Sequence, residues 1–208
     1  MEIIKYPENV VHETFDKNIA EWNEEVRQLL PDVPIDLKVE FNNEWLIPDT
    51  GTGGFASSKE KIELSFDENF EDQEAQMKDL RASYFHECYH VVQGFTGQDY
   101  DAHLPAIENA ILEGAATRFE TTYANADPGW SHYPEREKVV EWVNLIKGLP
   151  ENYDWQKWKF YNPEMKERWI MYRSGVFVID QALENSKLDI IDLVKMPAKD
   201  ILALAELD

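Results

Sequence analysis

Two histidines four positions apart with a glutamate between them, in the segment His86-Glu87-Cys88-Tyr89-His90, place the strongest constraint on this chain. In an α-helix, residues at this spacing lie on one face, one turn apart. Both imidazoles can then reach one metal ion, and the glutamate can address a water molecule bound to that ion. The pattern therefore predicts a zinc-binding helix in which His86 and His90 are ligands and Glu87 is a general base.

The surrounding sequence favours a metal ion over the simpler alternative of two ordinary helix histidines beside a solvated glutamate. From Tyr84 to Phe95 the chain is apolar on nearly every side of a helix, and a helix that is apolar all round is buried. Buried polar side chains are costly unless they find partners, and a shared metal ion would supply one. The single cysteine, Cys88, faces away from the two histidines, and we expect it to be a small buried hydrophobic residue.

Catalytic zinc generally takes three protein ligands, so a third is expected from another segment. A second predicted helix, from Ala106 to about Ala126, contains Glu113, which has small residues around it at helical spacing. Small residues let two helices approach closely, and close packing would explain Gly114, which otherwise weakens a helix by about 0.5–1 kcal/mol. We therefore predict Glu113 as the third ligand. Glu108 and Glu120 are alternatives on the same helix, and a solvated Glu113 is the simplest alternative role.

Together, these two motifs resemble those of a known group of enzymes. His86-Glu87-x-x-His90 followed by Glu113-Gly114-x-Ala116 resembles the gluzincin clan of metallopeptidases, which includes thermolysin and the zinc aminopeptidases. Over roughly residues 50–200 the chain is also similar to a group of small predicted zinc-dependent proteases. In that group a glycine-rich segment and a strand precede the zinc helix, and a Tyr-x-x-Gly element lies near the C-terminus. The corresponding residues here are Gly53-Gly54, Lys61 to Phe66, and Tyr172 to Gly175.

The resemblance implies a zincin-like α+β fold, with a small antiparallel or mixed sheet in the N-terminal part, the active-site helix and a mostly helical C-terminal part. It also implies Zn2+ as cofactor, a peptide or protein substrate, and an oxyanion-stabilising residue from the C-terminal part. Tyr172 is the predicted stabilising residue, and Arg173 and His132 are alternatives. Tyr172 could equally be a core aromatic residue.

Two departures from the clan bear on function. Thr117 stands where thermolysin-like members have an aspartate that orients a zinc histidine. The segment Gly54 to Ser58 has no carboxylate, whereas clan aminopeptidases have a Gly-x-Met-Glu-Asn segment whose glutamate binds the free amine of the substrate. We therefore expect an endopeptidase rather than an exopeptidase.

Length and composition limit the alternatives. A chain of 208 residues favours one domain, here an N-terminal lobe over 1–97 and a helical lobe over 98–208. A net charge of −21, from 41 acidic and 20 basic residues, disfavours nucleic acid and anionic membranes as partners. The N-terminus lacks the pattern of a signal peptide, so we expect a cytoplasmic protein. Two competing classes are a non-catalytic helical interaction module stabilised by zinc and a helical binding protein without metal.

Periodicity and breaker residues predict the remaining elements. They are a helix capped by Thr14 that runs to about Leu30, strands at Ile35–Phe41 and Lys61–Phe66, a turn or loop at Asp49–Gly54, a helix from Pro134 to about Gly148, an aromatic loop at Tyr153–Tyr161, a helix after Pro163, a short helix from Ser186 and a last helix from Pro197. The resemblance places the strand Lys61–Phe66 at the rim of the cleft, where it would pair with an extended substrate. The alternative is an ordinary edge strand.

Overall fold

The computed structural model describes residues 1–7, 10–97 and 104–207, which form an α+β protein. Its helices are α1 His12–Leu29, α2 Gln73–Gln93, α3 Ala106–Tyr123, α4 Arg136–Lys147, α5 Trp155–Lys159, α6 Ile170–Ser186 and α7 Ala198–Leu204. Its strands are β1 Glu2–Lys5, β2 Lys38–Phe41, β3 Thr52–Ser58, β4 Lys61–Phe66, β5 Tyr161–Asn162 and β6 Glu167–Arg168. Among the described helices, none combines the length and apolar composition that a membrane-spanning segment requires.

The chain divides into two compact units, and the first comprises Met1–Gln98 and Thr122–Ala126. Its sheet has the strand order β1-β2-β4-β3, in which β1, β2 and β4 are parallel and β3 runs antiparallel to β4. Helix α1 packs on this sheet through Phe15, whose ring lies 5.2 Å from the rings of Phe41 and Phe66 in edge-to-face contacts. The expected α+β class with a small mixed sheet is confirmed.

Two predictions about the strands were wrong. The glycines at the end of the segment Asp49–Gly54 belong to β3, rather than to a loop. Strand β4 is paired on both sides, with β2 and with β3, so it is neither a rim strand nor an edge strand. Within the described residues the sheet order ends at β3. Alternation identified β4 as a strand, but it cannot show which strands lie beside it, since pairing depends on distant residues.

Helix α2 carries the histidine motif and is held at both ends by local signals. The Asp72 side chain caps its start by accepting a hydrogen bond of 3.0 Å from the backbone N–H of Ala75. Gly94 ends it in a left-handed conformation with φ of 83°, which glycine adopts without strain. Every residue from Tyr84 to Val91 is buried, as expected for a helix that is apolar on nearly all sides.

The second unit comprises Asp99–Thr121 and Asp127–Asp208, and α3 crosses α6 at two glycines. A β-carbon added to Gly114 would lie 2.2 Å from the carbonyl carbon of Gly175, and one added to Gly175 would lie 1.7 Å from the carbonyl oxygen of Ala110. Close helix packing at Gly114 was expected against the histidine-bearing helix. The contact that requires this glycine is instead made with α6.

Several other local predictions were wrong. Helix α1 begins after Val11, with no side-chain cap, so Thr14 is not its cap. The helix expected directly after Pro163 begins at Ile170, because the short hairpin of β5 and β6 precedes it. The residues after Ser186 form turns instead of a helix. The aromatic loop contains the short helix α5. Asp154 caps this helix, because its side chain accepts a hydrogen bond from the N–H of Lys157.

Candidate metal centre

Helix α2 presents His86 and His90 on one face, one turn apart. Their Nε2 atoms face each other at 3.0 Å, and both side chains are buried. The other ring nitrogen of His90, Nδ1, lies 3.0 Å from Oε1 of Gln93, one turn further along the helix. An Nδ1–H that donates to Gln93 leaves Nε2 with its lone pair available to a metal ion. Gln93 is therefore an orienting partner of His90, a role that was not predicted from the sequence.

The predicted ligands are close in space. His86, His90 and Glu113 each offer one ligand atom, and these atoms all lie within 4.8 Å of one another. All three side chains are buried. Glu108 and Glu120 are not part of this group among the described residues. The Glu120 carboxylate instead accepts a hydrogen bond of 2.9 Å from the indole N–H of Trp130.

The donor set and its spacing are suited to zinc. Two imidazoles and one carboxylate form an established ligand set for catalytic zinc, which leaves a position open. A tetrahedral ion with bonds of about 2.0–2.1 Å separates two nitrogen ligands by about 3.3–3.4 Å. The observed separation of 3.0 Å between the two Nε2 atoms is within a few tenths of an ångström of that value. These residues could hold a zinc ion.

The Glu87 carboxylate lies against the backbone of β3. A β-carbon added to Gly54 would lie 2.6 Å from Cγ and 2.8 Å from Oε1 of Glu87. Only a residue without a side chain leaves this space for Glu87, which is itself buried. Gly54 therefore fixes how closely the carboxylate approaches the last strand of the sheet. The glycine-rich segment is visible in the sequence, but its contact with Glu87 was not predicted.

Glu113 makes a buried ion pair in the second unit. The Lys159 ammonium lies 2.6 Å from Glu113 Oε1, and the two side chains are 2% and 1% exposed. Lysine is almost never fully buried unless it is paired. In the sequence, Lys159 falls in the predicted aromatic loop and has no predicted role. No sequence signal distinguished it from Lys157, two positions earlier on the same short helix.

Tyr172 lies on α6 near this ion pair. Its ring centroid is 6.0 Å from the Lys159 Nζ atom, and its ring contacts the rings of Trp130 and Trp169. The side chain is only partly buried. The two alternatives have other partners. His132 Nε2 lies 2.6 Å from the exposed Asp127 carboxylate, whereas Arg173 bonds to the Glu167 carboxylate and to the His132 carbonyl oxygen.

Two further residues of the motifs are buried. Burial raises the pKa of the Cys88 thiol well above its usual range, so the thiol is a poor nucleophile and metal ligand, in agreement with its expected role. The Thr117 hydroxyl is buried and has no hydrogen-bond partner in the described part of the chain. In place of an aspartate on α3, the observed contact to the His90 ring comes from Gln93 on α2 itself.

A comparison with curated proteins and one with solved structures found no match. A family model described as a predicted Zn-dependent protease (DUF2268) matches residues 8–203, which include the histidine motif, Glu113 and the Tyr-x-x-Gly element. The description of this family agrees with the presence of a buried group of two histidines and a glutamate that could hold a metal ion. The chain belongs to the DUF2268 family of predicted zinc-dependent proteases.

Proposed function

We propose that this protein is a zinc-dependent peptide-bond hydrolase of the gluzincin type, acting as an endopeptidase. The convergence of buried ligand atoms from His86, His90 and Glu113 within 4.8 Å is the observation that carries the proposal. In this proposal these three residues hold the zinc ion. When bound, zinc supplies a Lewis acid that polarises the peptide carbonyl and lowers the pKa of a coordinated water molecule.

Glu87 is the general base in this proposal. It accepts a proton from the attacking water molecule and then passes the proton to the leaving amine. Its burial supports this role, because the groups packed around a buried carboxylate restrict the positions that the carboxylate can take. Gly54 supports the role as well, since its backbone limits where the Glu87 side chain can lie.

Tyr172 is the proposed oxyanion stabiliser, because its hydroxyl can donate a hydrogen bond to the oxygen of the tetrahedral intermediate. Its ring lies beside Lys159, whose ammonium contacts the ligand Glu113. Removal of one oxyanion donor costs about 10²–10³ in kcat in well-studied hydrolases. We therefore expect Tyr172→Phe to lose activity on that scale while it retains zinc.

Strand β3 is the proposed docking site for the substrate. Ile47 bridges to Thr52 at the start of β3, where its N–H donates a hydrogen bond of 2.8 Å to the Thr52 carbonyl oxygen. Beyond Thr52, β3 is the last strand of the sheet among the described residues, and an extended peptide can add to such a strand as a further strand. The residues of β3 include no carboxylate that could bind a free amine. A substrate bound along β3 does not need a free N-terminus, which favours endopeptidase action.

The test combines metal analysis with cleavage of an internally quenched peptide that is blocked at both ends. We expect one zinc ion per chain, cleavage that a chelator abolishes and zinc restores, and no cleavage by Glu87→Gln with its zinc content unchanged. Cleavage retained by Glu87→Gln would refute the mechanism. Zinc bound by all variants without any cleavage by the natural chain would favour the non-catalytic interaction module instead.

A further inference from the structure

The Glu113–Lys159 ion pair lies in the interior of the second unit. Both side chains are almost fully removed from solvent, and their charged atoms are 2.6 Å apart. A buried charge is stable only when a partner compensates for its lost hydration. Each of these residues therefore supplies a compensating charge for the other.

The short helix α5 holds Lys159 in this environment. The Trp155 and Tyr172 rings lie 5.9 Å and 6.0 Å from the Lys159 Nζ atom, at distances where aromatic faces attract a cation. Lys157, on the same helix, has a side chain that is 28% exposed and pairs with Glu164, whose side chain is 68% exposed. The two lysines thus differ in burial and in the partner they face, although they share one helix.

We propose that Lys159 is the internal counter-ion of Glu113 in the metal-free protein, and that a metal ion competes with the Lys159 ammonium for this carboxylate. The proposal rests on the proposed function, because it takes Glu113 as a metal ligand. Lys159 is a positioning residue in this sense. It keeps a buried carboxylate in place before any metal ion binds, so the second unit can fold without metal.

Charge repulsion links the ammonium to metal affinity. A divalent cation that coordinates Glu113 lies within a few ångströms of the Lys159 ammonium, because the ammonium contacts the same carboxylate. Like charges at such distances in a buried site repel strongly. Lys159 therefore weakens metal binding, and its removal should raise the affinity of the site for the metal ion.

The experiment compares Lys159→Met with the matched control Lys157→Met in the full chain. Zinc affinity is measured by competition with a chromophoric chelator at one fixed pH, and Tm is measured with and without zinc. We expect metal-free Lys159→Met to melt about 5–15 °C below the natural chain, because the buried Glu113 carboxylate loses the compensating charge of Lys159. Zinc should bind this variant at least about tenfold more tightly and raise its Tm more than in the natural chain. Lys157→Met should match the natural chain in both measurements.

A second variant keeps the test decisive if Lys159→Met does not fold. The double variant Glu113→Gln/Lys159→Met carries neither charge. Its metal-free Tm should therefore exceed that of both single variants, Glu113→Gln and Lys159→Met. It should also show no zinc-induced rise in Tm. A double variant no more stable than the single variants would overturn the counter-ion role.

The outcomes separate this inference from the proposed function. Zinc affinity in Lys159→Met that equals or falls below that of the natural chain would overturn the competition. Absence of any zinc-induced Tm rise in the natural chain would instead reject the proposed function. In that case the metal-free stabilities of the two single variants and the double variant would still decide whether Lys159 is the counter-ion of Glu113.

Discussion

The crossing of α3 and α6 gives a prediction whose sign distinguishes packing from intrinsic helix preference. Alanine is favoured over glycine in a helix interior by about 0.5–1 kcal/mol, so propensity alone predicts that Gly175→Ala stabilises the protein. The structure predicts the opposite. The new β-carbon would lie 1.7 Å from the Ala110 carbonyl oxygen, 2.7 Å from its carbonyl carbon and 3.1 Å from the Gly114 α-carbon. All three are backbone atoms, which cannot rotate away.

The size of the effect follows from the distance that must be made up. Ordinary contacts with a β-carbon begin near 3.4 Å, so the two helices must separate locally by about 1.7 Å. Overpacking a core costs about 1–3 kcal/mol and occasionally more. A clash with rigid backbone belongs at the upper end, so we expect a loss of about 3 kcal/mol in the free energy of unfolding. For a chain of this size, that loss lowers Tm by about 6–12 °C.

The assay is urea unfolding followed by tryptophan fluorescence, with Gly129→Ala as the matched control. A β-carbon at Gly129 would meet no atom within 4 Å, so this variant should stay within about 0.5 kcal/mol of the natural chain. Gly114→Ala should also destabilise, and the double variant should lose less than the sum, because the second substitution meets helices already separated. If Gly175→Ala were as stable as Gly129→Ala, the close crossing would be disproved.

Three further predictions test the site itself. Gly54→Ala should lower kcat for the blocked peptide about 100-fold without changing zinc content, because its β-carbon displaces Glu87; an unchanged kcat would contradict this contact. Gln93→Ala should weaken zinc binding about 10–100-fold in chelator competition, since His90 loses its orienting partner, and equal affinity would rule that role out. Cys88 should resist a thiol reagent at pH 8 until urea unfolds the chain, because burial raises its pKa; rapid labelling of the folded protein would show that the thiol is accessible.

The sequence was most informative where function depends on spacing along one helix. His86 and His90 lie four residues apart, and helix geometry alone brings their ring nitrogens together. Glu113 required one further assumption, that small residues mark a close helix contact. Its ligand atom does lie within 4.8 Å of the histidine nitrogens, although Gly114 packs against α6 rather than the histidine helix.

Features that depend on distant pairing were not predictable in this way. Alternation in Lys61–Phe66 identified a strand, but its two neighbours come from residues before it in the chain, so its place inside the sheet was not visible. Lys159 is a stronger example. A lysine beside tryptophans is normally read as a surface residue, and only the fold reveals that Glu113 lies 2.6 Å from its ammonium.

The glycines of the weaker motifs acquire a physical reason from the structure. Gly54 and Gly175 were elements of a family resemblance with no assigned role, and Gly114 was expected only to allow close helix packing. Each now marks a place where backbone lies against a proposed site residue or its supporting helix: Gly54 against Glu87, and the other two against each other beside Glu113. Side chains in a catalytic site must be held to within about 0.5 Å by rigid surroundings. Close backbone contact provides such surroundings, because backbone in a strand or helix has no rotamers to exchange. The same three glycines should therefore tolerate substitution less well than Gly129, where an added β-carbon would meet no atom within 4 Å.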